Sequence, residues 1–340
     1  MLRTYVINVE SAKERWKNVL SEFSKYNIIP KRVDAKTKRG ALTEDEKKNV
    51  STQCLISCPH TGLAITISHI DAWKAALNDI RLNGDSQIKR GALICEDDVK
   101  LQNFDNFESY MSEVPNDYDI VFVGCLFCQK NVSFLPDFAL RLMNRKKVSV
   151  PVSEHIWKSS YTFGAHAYYV SEKGLEKLLY LFSNHSIYEQ IDIMLNDFSK
   201  QEKIITYTMT PLLATQESSL QASSQWKKLP NPKLANFILD KFQLDSNVTI
   251  AYGLNYPLKR IKNYEITAWT IILFLYGFLW GLFGFTSKWF KVSFALTILI
   301  DAMLNDDNVE KSVLNSSINL ALFYAGFVVG HHGKNMFKKK

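Results

Sequence analysis

This sequence has little excess of charge of either sign. Against 41 lysines and arginines stand 34 aspartates and glutamates over 340 residues, a formal net charge of +7. The basic residues are spread along the chain and close on one cluster, Lys338-Lys339-Lys340. A nucleic-acid footprint is therefore not expected; a phosphorylated substrate or an anionic membrane surface suits so modest a balance better. Cysteine is scarce as well. The five cysteines, at 54, 58, 95, 125 and 128, are odd in number and scattered, and Cys95 falls inside an apolar run. That pattern indicates reduced thiols in a cytosolic compartment rather than a disulfide framework. Cys125-x-x-Cys128 alone is a weak metal or redox signal, and Cys54-x-x-x-Cys58-x-His60 with His69 beyond only sketches a zinc site, since no second close pair follows. The first eight residues lack the apolar run of a signal peptide, so the main domain is expected to stay on the side where it is made.

What the chain does have is core material: 46% hydrophobic and 13% aromatic residues, enough for one large domain with an appendage. Its most informative stretch is Gly91-Ala92-Leu93-Ile94-Cys95 running into Glu96-Asp97-Asp98 and then Val99. This reads as a buried strand whose carboxyl end projects acid into a cleft, the edge at which open α/β sheets bind ligands. Three adjacent carboxylates repel one another unless a cation sits among them, which points to a divalent metal held by oxygen; a solvated acidic turn is the plainer alternative.

Elsewhere the chain alternates strands and helices. Thr4 to Val9 is a β-branched first strand, and Ser11-Ala12-Lys13-Glu14 has the form of a capping box opening a helix with Trp16, Val19, Leu20 and Phe23 at helical spacing. The amides at that helix start, with Arg15 one turn in, suit a phosphate group. Ile28 to Ala35 reads as a second strand that brings Asp34 to its end, and 36 to 59 as a polar loop over the cleft. Thr61 to Ile80 is a core-facing helix carrying Ser68-His69. Strands at 119–124 and 160–170 follow, separated by an irregular insertion from Phe127 to His155. Ser171 caps the next helix, and a further amphipathic helix from Ile187 to Phe198 carries Asp192 near its start. Asp192 is either a general base facing the cleft or an acid stabilised by the helix dipole. Lys203 to Met209 is a last strand. The order implies an α/β domain, a sheet covered by helices.

These pieces together resemble glycosyltransferase family 25, which includes lipooligosaccharide and collagen galactosyltransferases. The resemblance rests on Tyr5-Val6-Ile7-Asn8-Val9 with Ser11 and Arg15, Gly62 leading to Ser68-His69 and Trp73, Leu93 to Val99, Val121-Phe122-Val123-Gly124, Gly164-Ala165-His166-Ala167-Tyr168 with Gly174 and Leu178-Leu179, Asp192, and Pro211 with Gln216. It covers about residues 3 to 220. The stretch from Gly62 to His69 departs from the family's spacing, and Ala165 stands where a threonine is common.

The resemblance implies an A-type, Rossmann-like glycosyltransferase fold that uses a nucleotide sugar, UDP-galactose foremost, with the acidic triplet in the place of an Asp-x-Asp motif. Manganese or magnesium would be held by Glu96 and Asp98, with Asp97 also at the cation or the nucleotide. The reaction implied is an inverting displacement with Asp192 as the candidate base. Asn8, Arg15 and Asp34 would lie near the nucleotide, Arg15 at phosphate and Asp34 at ribose or base, and His69 would hydrogen-bond a phosphate or orient the acids. Two other functions remain at this stage: a saccharide-binding membrane protein without transfer activity, and a phosphoacceptor receiver domain, although in the latter the acids follow the first strand.

Past Gln221 the composition changes. A basic patch at Lys259-Arg260-x-Lys262 precedes Ile266 to Phe285, twenty residues without a charge, and apolar runs follow at Val292 to Leu304, interrupted by Asp301, and at Ile318 to Gly330. The expected division is a catalytic domain over 1–220, a basic juxtamembrane linker over 221–262, and a hydrophobic helical membrane region over 263–340. The expected setting is the cytoplasmic face of a membrane, anchored by that region, with a saccharide or glycolipid acceptor. Buried or interfacial helices are the alternative reading.

Overall fold

Five consecutive buried residues, Thr4–Asn8, pair on both sides with parallel strands, and the arrangement of the site follows from that pairing. The computed structural model describes residues 2–37, 43–83, 90–126, 149–159, 162–217, 233, 254, 257–261, 264–283, 292–297 and 309–337. The chain divides into two compact units, Met1–Leu220 with Pro232–Asn247, and Gln221–Asn231 with Val248–Lys340.

The first unit is built on an eight-stranded mixed sheet in the order β2-β1-β3-β8-β5-β9-β7-β6. These are β1 (Thr4–Asn8), β2 (Lys31–Asp34), β3 (Gly91–Glu96), β5 (Ile120–Leu126), β6 (Ser149–Pro151), β7 (Ile156–Ser159), β8 (Phe163–Ser171) and β9 (Thr206–Met209). β1, β2 and β3 run parallel, and β8 returns antiparallel to both β3 and β5. A separate ribbon pairs β4 (Val99–Leu101) with β10 (Ala214–Gln216).

Helices cover both faces, as period-2 strands with two buried sides require. One core contains Leu63, Trp73 and Ile80 of α4 (His60–Asn83), Leu175 and Leu178 of α6 (Glu172–Asn184), and Met194 and Phe198 of α7 (Ile191–Lys200). The opposite core contains Val19 and Phe23 of α1 (Lys13–Ser24) with Phe107 and Met111 of α5 (Phe107–Ser112).

Asp119 ties β5 to the start of α6. Its carbonyl accepts Ser171 N at 3.0 Å, and its buried carboxylate accepts Lys177 Nζ at 2.7 Å and Ile205 N at 2.8 Å. Ser171 caps α6 as expected, accepting Gly174 N at 3.0 Å. A Cβ at Gly174 would lie 2.3 Å from the Asp119 carbonyl oxygen, a backbone atom held on both sides. Gly174→Ala is therefore expected to destabilise the domain by about 2 kcal/mol, the overpacking cost exceeding the helix-propensity gain; a lowered urea midpoint checks it.

Several local expectations are corrected. Ser11 does not cap α1: Ala12 stands at the N-cap without a side-chain hydrogen bond. A capping box occurs instead at Thr43 and Glu46, within the stretch expected to be loop, where α2 (Glu44–Lys48) and α3 (Thr52–Ser57) form. The cysteines are not all reduced either. Cys54 and Cys58 form a disulfide and Cys125 is disulfide-bonded, leaving the buried Cys95 free. That removes the zinc sketch at Cys54 and Cys58. Most of the expected insertion, residues 127–148 with Cys128, lies outside the described residues.

The second unit corrects the expectation of a hydrophobic membrane-spanning segment. Among the described residues no helix is long and apolar enough to cross a membrane. Where an apolar helix was expected from Ile266, a hairpin of β11 (Pro257–Ile261) and β12 (Tyr264–Thr267) occupies the first residues. The helix after it, α8 (Ala268–Phe283), has 16 residues; at ~1.5 Å per residue it falls short of a ~30 Å hydrocarbon core. The long helix, α9 (Val309–Phe337, 29 residues), carries Ser316, Ser317, Asn319, His331, His332 and Lys334, which dilute every apolar window. These two helices pack backbone to backbone: a Cβ on Gly277 would lie 2.0 Å from the Phe323 carbonyl oxygen. The run 298–304 with Asp301, and the terminal lysines 338–340, lie outside the described residues.

Candidate active site

Because β1, β2 and β3 are parallel and in register, their carboxyl ends fall on one edge. Ile7 stands opposite Glu96, and Asn8 opposite Asp34. The chain turns at Asp97 and Asp98 and leaves the sheet through β4, so the three acids sit where the main sheet passes into the small ribbon.

Each acid meets a different environment. Asp97 is clamped: Asn8 Nδ2 donates to its Oδ2 at 2.6 Å and Arg15 Nη1 to its Oδ1 at 2.7 Å. Burial raises its pKa, opposed by Arg15 and Asn8. Asp98 is fully buried; Gln216 Nε2 donates to its Oδ2 at 2.8 Å, and Glu217 N to its backbone carbonyl at 2.8 Å. Burial, with the charges of Glu96 and Asp97, pushes its carboxyl well above the usual carboxylate range. Glu96 rises to about 7, first through burial, then through the charges of Asp97 and Asp192, with Arg15 opposing.

His69 lies completely buried on α4. Its Nδ1 is 2.9 Å from the Tyr168 hydroxyl and its Nε2 is 3.6 Å from Glu96 Oε1. Burial lowers its pKa to about 3 against the opposing charge of Asp192, so the ring is neutral at ordinary pH. Asp192, half-buried in the first turn of α7, accepts Gly164 N at 3.2 Å on Oδ2 and Ile193 N at 2.9 Å on Oδ1. Burial raises its pKa while those backbone bonds oppose.

The fold thus gathers Asn8, Arg15, His69, Glu96, Asp97, Asp98 and Asp192. Asp34 reaches the same sheet edge but stays outside the buried group, 72% exposed and paired with Arg32 at 2.8 Å. Sequence reasoning assigned no role to Gln216, which holds Asp98, to Tyr168, whose hydroxyl meets His69, or to Trp73, which donates to that hydroxyl. For Trp73 a signal existed: four residues after His69 on one helix, it shares that helix face.

The donor set is compatible with a hard divalent cation. Asp98 is a fully buried carboxylate and Glu96 a half-buried one, and burial and mutual repulsion favour their protonation, a condition that a bound cation reverses. Among the described residues no group of three or more His, Cys, Asp or Glu side chains is placed to hold a metal.

Residues 1–195, more than half of the chain, match the family model described as Glycosyltransferase family 25 (LPS biosynthesis protein). The chain belongs to glycosyltransferase family 25. No curated protein matches it. Membership makes it a glycosyltransferase of a lipopolysaccharide-biosynthesis family, with a nucleotide sugar and a saccharide acceptor as its substrates. The part matched to family 25 includes the acidic triplet and Asp192 but ends before Gln216, so the contact holding Asp98 comes from beyond it.

Proposed function

We propose that the chain is a metal-dependent inverting glycosyltransferase of the A-type fold that moves a hexose, galactose foremost, from a UDP-sugar to a saccharide of a lipopolysaccharide or lipooligosaccharide. The observation that carries this reading is the crowding of three carboxylates at the end of β3, where Asp98 is fully buried beside Glu96 and Asp97 is held by Arg15 and Asn8. Such an arrangement has a use if a divalent ion and a diphosphate complete it.

When bound, manganese or magnesium at Glu96 and Asp98 supplies Lewis-acid stabilisation of the charge that grows on the departing nucleoside diphosphate. The chain's own residues do the rest. Arg15, 26% exposed, can turn part of its guanidinium to phosphate while holding Asp97. Asn8 fixes Asp97 from the other side. Asp34, at the exposed end of β2 and opposite Asn8, would take the ribose or base.

Asp192 takes the proton of the acceptor hydroxyl as that oxygen attacks the anomeric carbon from the face opposite the diphosphate. Two backbone N–H groups orient its carboxylate, and a raised pKa makes it a stronger base than an exposed aspartate.

Thermal melts of the full chain with UDP-hexoses, each with and without manganese, test the proposal. One UDP-hexose with manganese is expected to raise the melting point by several degrees, since ligand at a hundred times its Kd stabilises the folded state by about 2.7 kcal/mol. The same sugar nucleotide with chelator should give little shift. If no UDP-hexose moves the transition under either condition, the donor assignment is wrong.

A further inference from the structure

Beneath the acidic turn lies a polar chain that the transfer reaction does not use directly. Trp73 Nε1 donates to the Tyr168 hydroxyl at 2.7 Å, and that hydroxyl is 2.9 Å from His69 Nδ1. All three side chains are completely buried. His69 Nε2 is buried without a hydrogen-bond partner and directed at Glu96 Oε1, 3.6 Å away.

Counting protons gives the chain a direction. Indole N–H only donates, so the Tyr168 oxygen must accept from Trp73. The phenol carries one proton, and His69 Nδ1 is the acceptor that the structure gives it. The imidazole proton then resides on Nε2, facing Glu96. The opposite tautomer would leave the phenol proton without an acceptor and set the Nε2 lone pair against carboxylate lone pairs, and burial makes both arrangements costly.

We propose that His69 is a positioning residue: Tyr168 and Trp73 hold it as the Nε2–H tautomer, and it donates to Glu96 Oε1 so that the other carboxylate oxygen is presented to the cation and nucleotide. This rests on the functional reading above and adds to it how the cation ligand is aimed. A shift of about 0.7 Å turns the 3.6 Å approach into a hydrogen bond of ordinary length. Catalytic-site hydrogen bonds commonly tighten when the site is loaded. Outer partners of this kind fix ligand orientation, and their loss lowers metal affinity by about 10–100-fold.

The test is manganese binding to the full chain, measured by calorimetry with UDP present, together with the ring 15N shifts of His69, identified by comparison with His69→Gln. The parent is expected to bind manganese and to show the Nε2–H pattern. His69→Phe, which fills the space without a donor, should weaken binding by about 10–100-fold, and His69→Gln, whose amide can donate in the same direction, should restore most of the loss. Tyr168→Phe should move the His69 shifts toward a mixture of tautomers and weaken manganese binding in the same sense; it carries the test should His69→Phe fail to fold. Parental affinity in a folded His69→Phe or Tyr168→Phe, or an Nδ1–H pattern in the parent, overturns the inference while leaving the transferase reading intact. A parent that binds no manganese, with or without UDP, overturns the metal-dependent reading itself.

Discussion

Asp98→Asn is expected to reduce glycosyl transfer by at least about a thousandfold, the scale on which losing a principal electrostatic stabiliser of the transition state is felt, while the domain stays folded. The amide keeps an oxygen to accept from Gln216 Nε2, so the contact from β10 persists. The substitution also removes one member of a buried, mutually repelling group of acids. The melting point without ligand should therefore hold or rise. Manganese should no longer help a UDP-hexose raise it. Transfer is assayed with excess chelator as a control; a variant that transfers sugar at the parental rate with chelator present would refute the metal assignment.

Asp192→Asn is expected to lower kcat by about 10²–10⁴-fold, the contribution of a positioned general base, with donor binding retained. The asparagine oxygen can still accept one of the two backbone N–H bonds, from Gly164 or Ile193. The start of α7 should accordingly survive. The distinction from a purely structural aspartate lies in how the defect divides. A lost base lowers kcat and leaves the manganese-dependent thermal shift with UDP-sugar unchanged, whereas a loosened helix start lowers the melting point. Normal turnover in a stable Asp192→Asn would assign that carboxylate to the helix dipole instead.

Most of the first unit was legible because its signals are local. The apolar run Leu93 to Cys95 entering three acids gave a buried strand with a charged end, and β3 ends at Glu96. Ser171 caps its helix as the sequence suggested. The misreadings have equally specific causes. Ser11 had the right spacing for a capping box, but the turn closed by Ala12 N on the Val9 carbonyl at 2.8 Å puts Ala12 at the cap position. The polar composition around Thr43 hid two short helices, since caps and first-turn acids look the same as loop residues. In the second unit mean apolarity suggested bilayer spans; a hairpin uses residues before Ala268, and polar groups distributed along α9 break its apolar length.

The sequence by itself determined which residues carry acid, where the strand ahead of them runs, and which family motif they form, because these depend on periodicity and order along the chain. Only the tertiary structure decided which acid is clamped by Arg15 and Asn8, which is held by Gln216 from 118 positions away, and that Asp192 lies close enough to raise the Glu96 pKa. Those facts depend on parallel register and on elements meeting across long separations. Burial and low dielectric then turn proximity into shifted proton affinity, which spacing along the chain does not encode.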